Sequence, residues 1–252
     1  PDTPSRPGFI RERPQRSSMS RKGSGTTTVR PIDRHENGVG WIAYPDEEMQ
    51  RASHAVAVHD EESGTNDPDV WVFDPVDGEG VDDLLADLGS VAGVVLGLDR
   101  HKRDAAAVAR RHDAAVHVPE WMTNVADDLD APVERFGRRL ADTGFRVLRV
   151  RDSSLPPWQE AAFFDGETLI VPEAVGTASF FRVAGERLGV HPVLRAFPPR
   201  EALGGLDPDR VLVGHGEGIH EDAAAALRNA LDGARRSAPR LYAETVRSLL
   251  GG

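Results

Sequence analysis

Four short polar stretches carry residue types able to do chemistry, and each follows an apolar run. Asp74-Pro75 ends the run Trp71-Val72-Phe73, and Asp99-Arg100-His101-Lys102-Arg103-Asp104 follows Val91–Leu98. Pro172-Glu173-Ala174 follows Leu169–Val171, and Gly214-His215-Gly216-Glu217-Gly218 follows Val211–Val213. Strand-to-helix loops collect side chains at one edge of a sheet. Carboxylates and imidazoles recurring there are how a mononuclear or dinuclear metal site is often assembled. Glycines flanking His215 mean close backbone approach and give it a pocket role; a plain turn residue is the alternative. Asp99–Asp104 also reads as a helix start, with Asp99 as its N-cap.

The remaining candidates exclude classes. Ser153 and Ser154 lack a nucleophile-elbow context, and the spacing of Gly214, Gly216 and Gly218 fails the dinucleotide fingerprint. His54 and His59 are five apart on one strand, so they point to opposite faces. His112 and His117 flank a short strand and read as surface or loop residues, and His191 precedes Pro192 in a turn. His220 reads as the exposed start of the last helix, with Glu217 near the same N-terminus. Trp121 and Trp158 read as core or pocket-wall residues.

The elements that must position these loops alternate between strands and helices. Trp41–Tyr44, His54–His59 and Val70–Phe73 read as strands, with Asp60–Asp69 a hairpin loop. Val81–Leu88 places apolar residues at 81, 84, 85 and 88, which is one helical face. Val91–Leu98 is a strand buried on both faces; Lys102–Arg111 is helical and Ala115–Val118 a strand. Val133–Thr143 is expected to be a helix and Phe145–Val150 a strand. Ala161–Phe164 and Thr168–Val171 flank the hairpin signal Asp165-Gly166. Phe180–Leu188 is expected to be helical, Arg210–Val213 a strand, and Glu221–Arg235 with Pro239–Leu250 a helical tail. No solenoid repeat is present.

The chain has 252 residues, 39% hydrophobic, and no Cys, which removes disulfides, thiolate zinc sites, Fe–S clusters and Cys nucleophiles. Its net charge of −11 argues against nucleic acid as a partner, since phosphate contacts need clustered Lys and Arg. No run approaches the ~18 apolar residues of a membrane span, so a soluble, cytoplasmic protein is expected. Asp outnumbers Glu, 24 to 17, and the cations are 28 Arg with only Lys22 and Lys102. That balance fits a halophilic protein, whose dense carboxylates hold hydration while salt screens their repulsion; a GC-rich genome is the alternative. Residues 1–30 have little apolar content and no period, so they are expected to be disordered. Met19 offers a start, which would leave 1–18 outside native translation. Residues 31–252 are expected to form a single domain.

The order of these segments resembles the metallo-β-lactamase superfamily from about Val56 to Arg235. Trp71–Pro75 resembles the family's early strand ending in Asp-Pro. Val94–Asp104 sits where the family carries its His-x-His-x-Asp-His motif. Ala161–Glu173 resembles the hairpin leading to its bridging Asp, and Val211–Gly216 the strand that delivers its last His. The implied fold class is α/β, a metallo-β-lactamase-like four-layer αββα sandwich.

In the register that keeps Asp104 on the motif's Asp, Arg100 and Lys102 occupy the first two His positions and Ala105 the last. Ser153–Trp158, where the family's middle Gly-His-Thr would fall, contains no His. Glu173 stands for the bridging Asp, and Asp104 and His215 match outright. Arg cannot be a metal ligand, and Lys is a ligand only after losing its charge. The expectation is therefore a degenerate, metal-free pocket of Arg100, Lys102, Asp104, Glu173 and His215, held by ion pairs and requiring no cofactor. It would be non-catalytic or metal-independent, binding a small molecule or another protein. The alternative turns His101 inward to join Asp104 and His215 in a reduced mononuclear zinc site. Such a site would hydrolyse an ester, thioester or phosphoester bond.

Overall fold

The computed structural model describes residues 28–59, 67–123 and 125–250, with the backbone alone for 244–250. The first sheet has seven strands in chain order: β1 (Arg30–His35), β2 (Gly38–Ile42), β3 (Ala52–Val58), β4 (Asp69–Phe73), β5 (Ser90–Val95), β6 (Ala115–Pro119) and β7 (Val133–Phe136). β1 to β4 pair antiparallel and β4 to β7 parallel. The parallel crossovers hold α1 (Val81–Ala86) and α2 (Ala105–Arg111). A second sheet, in the order β13-β10-β9-β8, combines β8 (Arg146–Ser154), β9 (Pro157–Phe164), β10 (Thr168–Val171) and β13 (Arg210–Val213). Between β10 and β13 the chain forms the small pair β11 (Val175–Gly176) and β12 (Gly189–Val190), then α3 (Arg200–Leu203). The long α4 (Ala223–Leu250) closes the chain.

Side-chain alternation explains the layers. Phe163, Ile170 and Leu212 point from the second sheet into one core with Trp41, Phe73 and Phe136 of the first sheet. Their neighbours Leu169, Val171, Val211 and Val213 point the other way, against Leu227, Leu231 and Ala234 of α4. Strands covered on both faces read as unbroken apolar runs, and Leu169–Val171 and Val211–Val213 are such runs. Two sheets thus face each other, with α1 and α2 outside one and α4 outside the other. This is the expected four-layer α/β sandwich.

Several expectations are corrected. Val133–Thr143 is not a helix; Val133–Phe136 pairs in parallel with Val116–Pro119. The backbone bond from Glu120 to Phe136 O closes that edge, and burial of Phe136 outweighs the helix-like spacing. Phe180–Leu188 is not a helix either. Only a single 3₁₀ turn forms at Ser179–Phe181, Gly185 sits at φ 95°, and the buried Arg195 caps Phe181 O while pairing with Glu186. The helical tail is one helix running through Pro239. Strand β1 lies upstream of every strand expected from the sequence, and Val29 before it is already buried. The expected disorder of residues 1–30 fails at 28–30, where Thr28 bridges to Glu79 and Arg30 opens β1; residues 1–27 and the tip of the Asp60–Asp69 loop lie outside the described residues, although β3 and β4 do pair as a hairpin from Val58 to Asp69.

Phe163 joins the two sheets, with its ring 5.1 Å from Phe73 and 6.0 Å from Phe136, and it is fully buried. Phe163→Ala is expected to lower unfolding free energy by about 3–5 kcal/mol, measured by urea denaturation. A loss under about 1 kcal/mol would mean the sheets are not packed through this ring.

Candidate metal centre

Three loops from the two sheets meet at one edge. The first runs from Asp99 to Asp104, between β5 and α2. Its turn is set by the backbone bond from His101 N to Leu98 O, 3.0 Å, and it is tied to β9 by Asp99 N to Gln159 O, 3.0 Å. That turn buries His101. Arg103, in left-handed backbone at φ 36°, sends its guanidinium back to Ala52 O at 3.2 Å and Asp74 O at 3.0 Å.

The second loop follows β10 and carries Glu173. The backbone N–H groups of Glu173 and Ala174 both donate to Oε1 of Glu160, at 2.8 and 2.7 Å. Trp158 Nε1 donates to the other Glu160 oxygen at 2.8 Å. Glu160 is fully buried on β9; burial pushes its carboxyl up to about 7 against the pull of those three donors. The third loop is Gly214-His215-Gly216. A Cβ at Gly214 would fall 2.1 Å from Pro172 O, and one at Gly216 would fall 2.3 Å from Thr177 Oγ1. The two glycines therefore let the loop lie against the Glu173 segment.

The result is a compact cluster. Nε2 of His101 lies 3.0 Å from Glu173 Oε2, and Nε2 of His215 lies 3.1 Å from the same oxygen. His191 Nε2 faces the other carboxylate oxygen at 3.4 Å. All four side chains are buried. Burial pushes the Glu173 carboxyl up, and it is held well below the usual carboxylate range only where protons or positive charge reach it from the His101 and His215 side. Burial also lowers the His215 imidazole, and lowers His191 to about 4, so His191 is neutral at pH 7.

The hydrogen-bond partners assign the tautomers. A carbonyl only accepts, so the contact of His215 Nδ1 with Met49 O at 2.9 Å puts the proton of the neutral ring on Nδ1 and leaves Nε2 bare. At His101 Nε2 two neighbours compete: the Arg103 guanidinium at 3.1 Å only donates and Glu173 Oε2 at 3.0 Å only accepts, and in the state where Arg103 donates that nitrogen is bare as well. Val193 N donates to His191 Nδ1 at 3.2 Å, which leaves a proton on Nε2 aimed at Glu173. Two imidazole lone pairs thus converge on one carboxylate oxygen while His191 donates towards the other. Acceptors crowded this closely in a buried site require positive charge between them. His101, Glu173 and His215 offer ligand atoms mutually within 4.8 Å, and two imidazoles with one carboxylate make a fitting donor set for a zinc-type ion.

The structure brings together Arg100, Glu173 and His215 of the expected pocket, but not Lys102 or Asp104. Arg100 NH2 reaches Glu173 Oε1 at 3.6 Å from the site's rim, with the chain stacked over Trp158 at 4.3 Å. Lys102 turns outward to Asp128. Asp104 Oδ2 accepts from Asp77 N at 2.9 Å, so Asp104 is absent from the ligand trio expected with His101 and His215, and Glu173 takes its place. The physical reason is the turn at Leu98–His101, which faces His101 and Arg103 inward instead of residues 100, 102 and 104. Sequence reasoning missed Arg103, Glu160 and His191. A lone carboxylate bordering the apolar Ala161–Phe164 was the readable signal for Glu160; for His191 there was none.

No protein-family model matches the chain, and no curated protein matches it. Solved structures do. A putative diflavin flavoprotein A 5 fragment from Nostoc sp. PCC 7120 is 12% identical over 82% of this chain and 97% of that one, with a TM-score of 0.56. A metallo-β-lactamase from Pontibacter korlensis is 12% identical over 81% of this chain and 99% of that one, with a TM-score of 0.52. Identity this low speaks to the fold alone. The chain has the metallo-β-lactamase fold, as the segment order implied.

The outward and inward cations give opposite expectations. Lys102→Ala should leave stability within about 0.5 kcal/mol, as an exposed pair does. Arg103, whose guanidinium is lowered to about 10 by burial, faces carbonyls and Asp74. Arg103→Met should cost about 2–3 kcal/mol, because the buried carbonyls of Ala52 and Asp74 lose a charged donor. Chemical denaturation of the two variants checks this, and equal losses would contradict the assignment.

Proposed function

We propose that the chain is a metal-dependent hydrolase with a reduced, mononuclear site held by His101, Glu173 and His215. The carrying observation is the convergence of the two bare Nε2 atoms on Glu173 Oε2, at 3.0 and 3.1 Å. A zinc-type ion there would supply Lewis-acid polarisation and a bound water of lowered pKa.

The chain's own residues have separable tasks. His215 is held in its ligating tautomer by Met49 O, the kind of outer contact that fixes ring orientation at metal sites. Glu160 fixes the backbone of the Glu173 loop, and the donor on His191 steadies the Glu173 oxygen that faces away from the two bare nitrogens. Arg100 stands half-exposed at the rim, stacked on Trp158, where it can orient an anionic or carbonyl-bearing substrate. Ester, thioester and phosphoester bonds all suit such a site.

A second reading is favoured by one contact. The Arg103 guanidinium already lies 3.1 Å from His101 Nε2 and so supplies positive charge to the cluster. On that reading the protein is metal-free and non-catalytic, as the His-poor motif suggests, and its pocket binds a small molecule or a protein. The neutralising cation is then Arg103 rather than Lys102.

Elemental analysis of the purified protein after dialysis separates the two. The proposal expects about one zinc, iron or manganese per chain. It also expects His215→Ala to lower zinc affinity at least about 100-fold while leaving the circular dichroism spectrum unchanged. Hydrolysis of model ester and phosphoester substrates should fall in parallel. No stoichiometric metal, with no zinc uptake by calorimetry at pH 7, would overturn it in favour of the metal-free reading.

A further inference from the structure

The chain places six of its 28 Arg between residues 135 and 151, with Asp142 the only acidic residue among them. In a protein of net charge −11 this is a segregation of sign. Four of the six, Arg138, Arg139, Arg146 and Arg149, line a groove of about 660 Å³ together with Trp121 and a single carboxylate residue, Glu120. The groove lies where the segment after β7 meets the first residues of β8. Its size is that of a small-molecule site.

Three of the four cations are left without a carboxylate partner among the described residues. Arg149 pairs with Asp152 at 3.1 Å, and among the described residues Arg138, Arg139 and Arg146 make no ion pair. Arg139 and Arg146 face each other across an antiparallel bridge, the arrangement in which like charges destabilise a strand pair. Carboxylates are abundant elsewhere on the surface, so setting only Glu120 and Asp152 against four guanidinium groups here is a cost that a bound anion would offset. Arg149 lies 4.6 Å over the Trp121 ring; such stacking holds a guanidinium flat with its N–H edge free for an acceptor.

We propose that the groove lined by Arg138, Arg139, Arg146 and Arg149 is a binding site for a small molecule carrying two or more phosphate groups. Arg forks match phosphate oxygens in bidentate geometry, and the Arg149–Trp121 stack offers a flat cationic surface beside them. A nucleic-acid strand fits less well, because phosphates extending beyond the groove would meet an acidic surface. The site is separate from the metal centre and does not rest on it. The two are nonetheless joined: Gln159 donates from its side chain to Trp121 O at 3.0 Å and from its backbone to Asp99 beside Arg100, at 3.1 Å.

Titration calorimetry of the full chain with pyrophosphate and with ADP, at low and high KCl, tests this. The expected result is one site per chain, weakening as salt rises. The exposed double substitution Arg139→Gln with Arg146→Gln should weaken it at least about tenfold, as loss of two charge-assisted contacts would. His215→Ala should leave it unchanged. Equal affinity for the two probes assigns recognition to the phosphates, and tighter ADP adds stacking on the Arg149 guanidinium; both support the site. Absence of saturable binding, indifference to the double substitution, loss with His215→Ala, or displacement of ADP by a 20-nucleotide single strand at lower concentration would each overturn it. Thermal melts of each variant show that the fold is intact.

Discussion

Glu173 sits nearly out of solvent with imidazole nitrogens on both of its oxygens, and its charge sets the terms for everything around it. A carboxylate in that position costs several kcal/mol unless positive charge or strong donors reach it. The surrounding structure concentrates on that requirement. Glu160 spends its carboxylate on the backbone of the Glu173 loop instead of on a cation. Gly214 and Gly216 admit His215 at a distance a Cβ would forbid. The turn at Leu98 brings His101 and Arg103 in from the opposite sheet. Both readings of the site follow from this one demand, and differ only in whether an ion or a guanidinium meets it.

The fold was legible because its signals are repeated. Val91–Leu98, Leu169–Val171 and Val211–Val213 are unbroken apolar runs followed by charged loops, and runs of that kind need cover on both faces. Asp165-Gly166 announced its hairpin. The two helices that failed to form had the right spacing but the wrong surroundings. Val133–Phe136 had an open strand edge beside it, and the carbonyl of Phe181 had Arg195 to accept from. Spacing records what a segment can do alone, while pairing depends on which edge lies vacant when the chain folds back.

The site was legible by loop and not by residue. All four charged loops were placed correctly at strand ends, and Glu173 and His215 were singled out within them. In the 99–104 loop the motif register was off by one position, because alternation continues through a strand but not through a turn, while the alternative that turned His101 inward matches the buried His101 beside His215. Once His101 N bonds to Leu98 O, the inward positions become 101 and 103. A family motif transferred by register alone then lands on Arg100 and Lys102, which point to the rim and to solvent. His191 entered the cluster through an element pair, β11 with β12, that carries no sequence signal of its own.

Charge distribution supplies a further constraint on how the molecule works. An excess of carboxylates over the surface repels anions at long range, yet the rim of the His101–Glu173–His215 cluster carries Arg100 and the groove by β8 carries four guanidinium groups. Salt screens the general repulsion more effectively than it screens contacts at hydrogen-bond distance. In a saline medium the acidic surface would therefore fade as a barrier to an anion while the local Arg forks still bind it. On the proposals above, anions would be selected by geometry at two nearby places, and Gln159, bonded through its side chain to Trp121 O and through its backbone to Asp99, ties those places together.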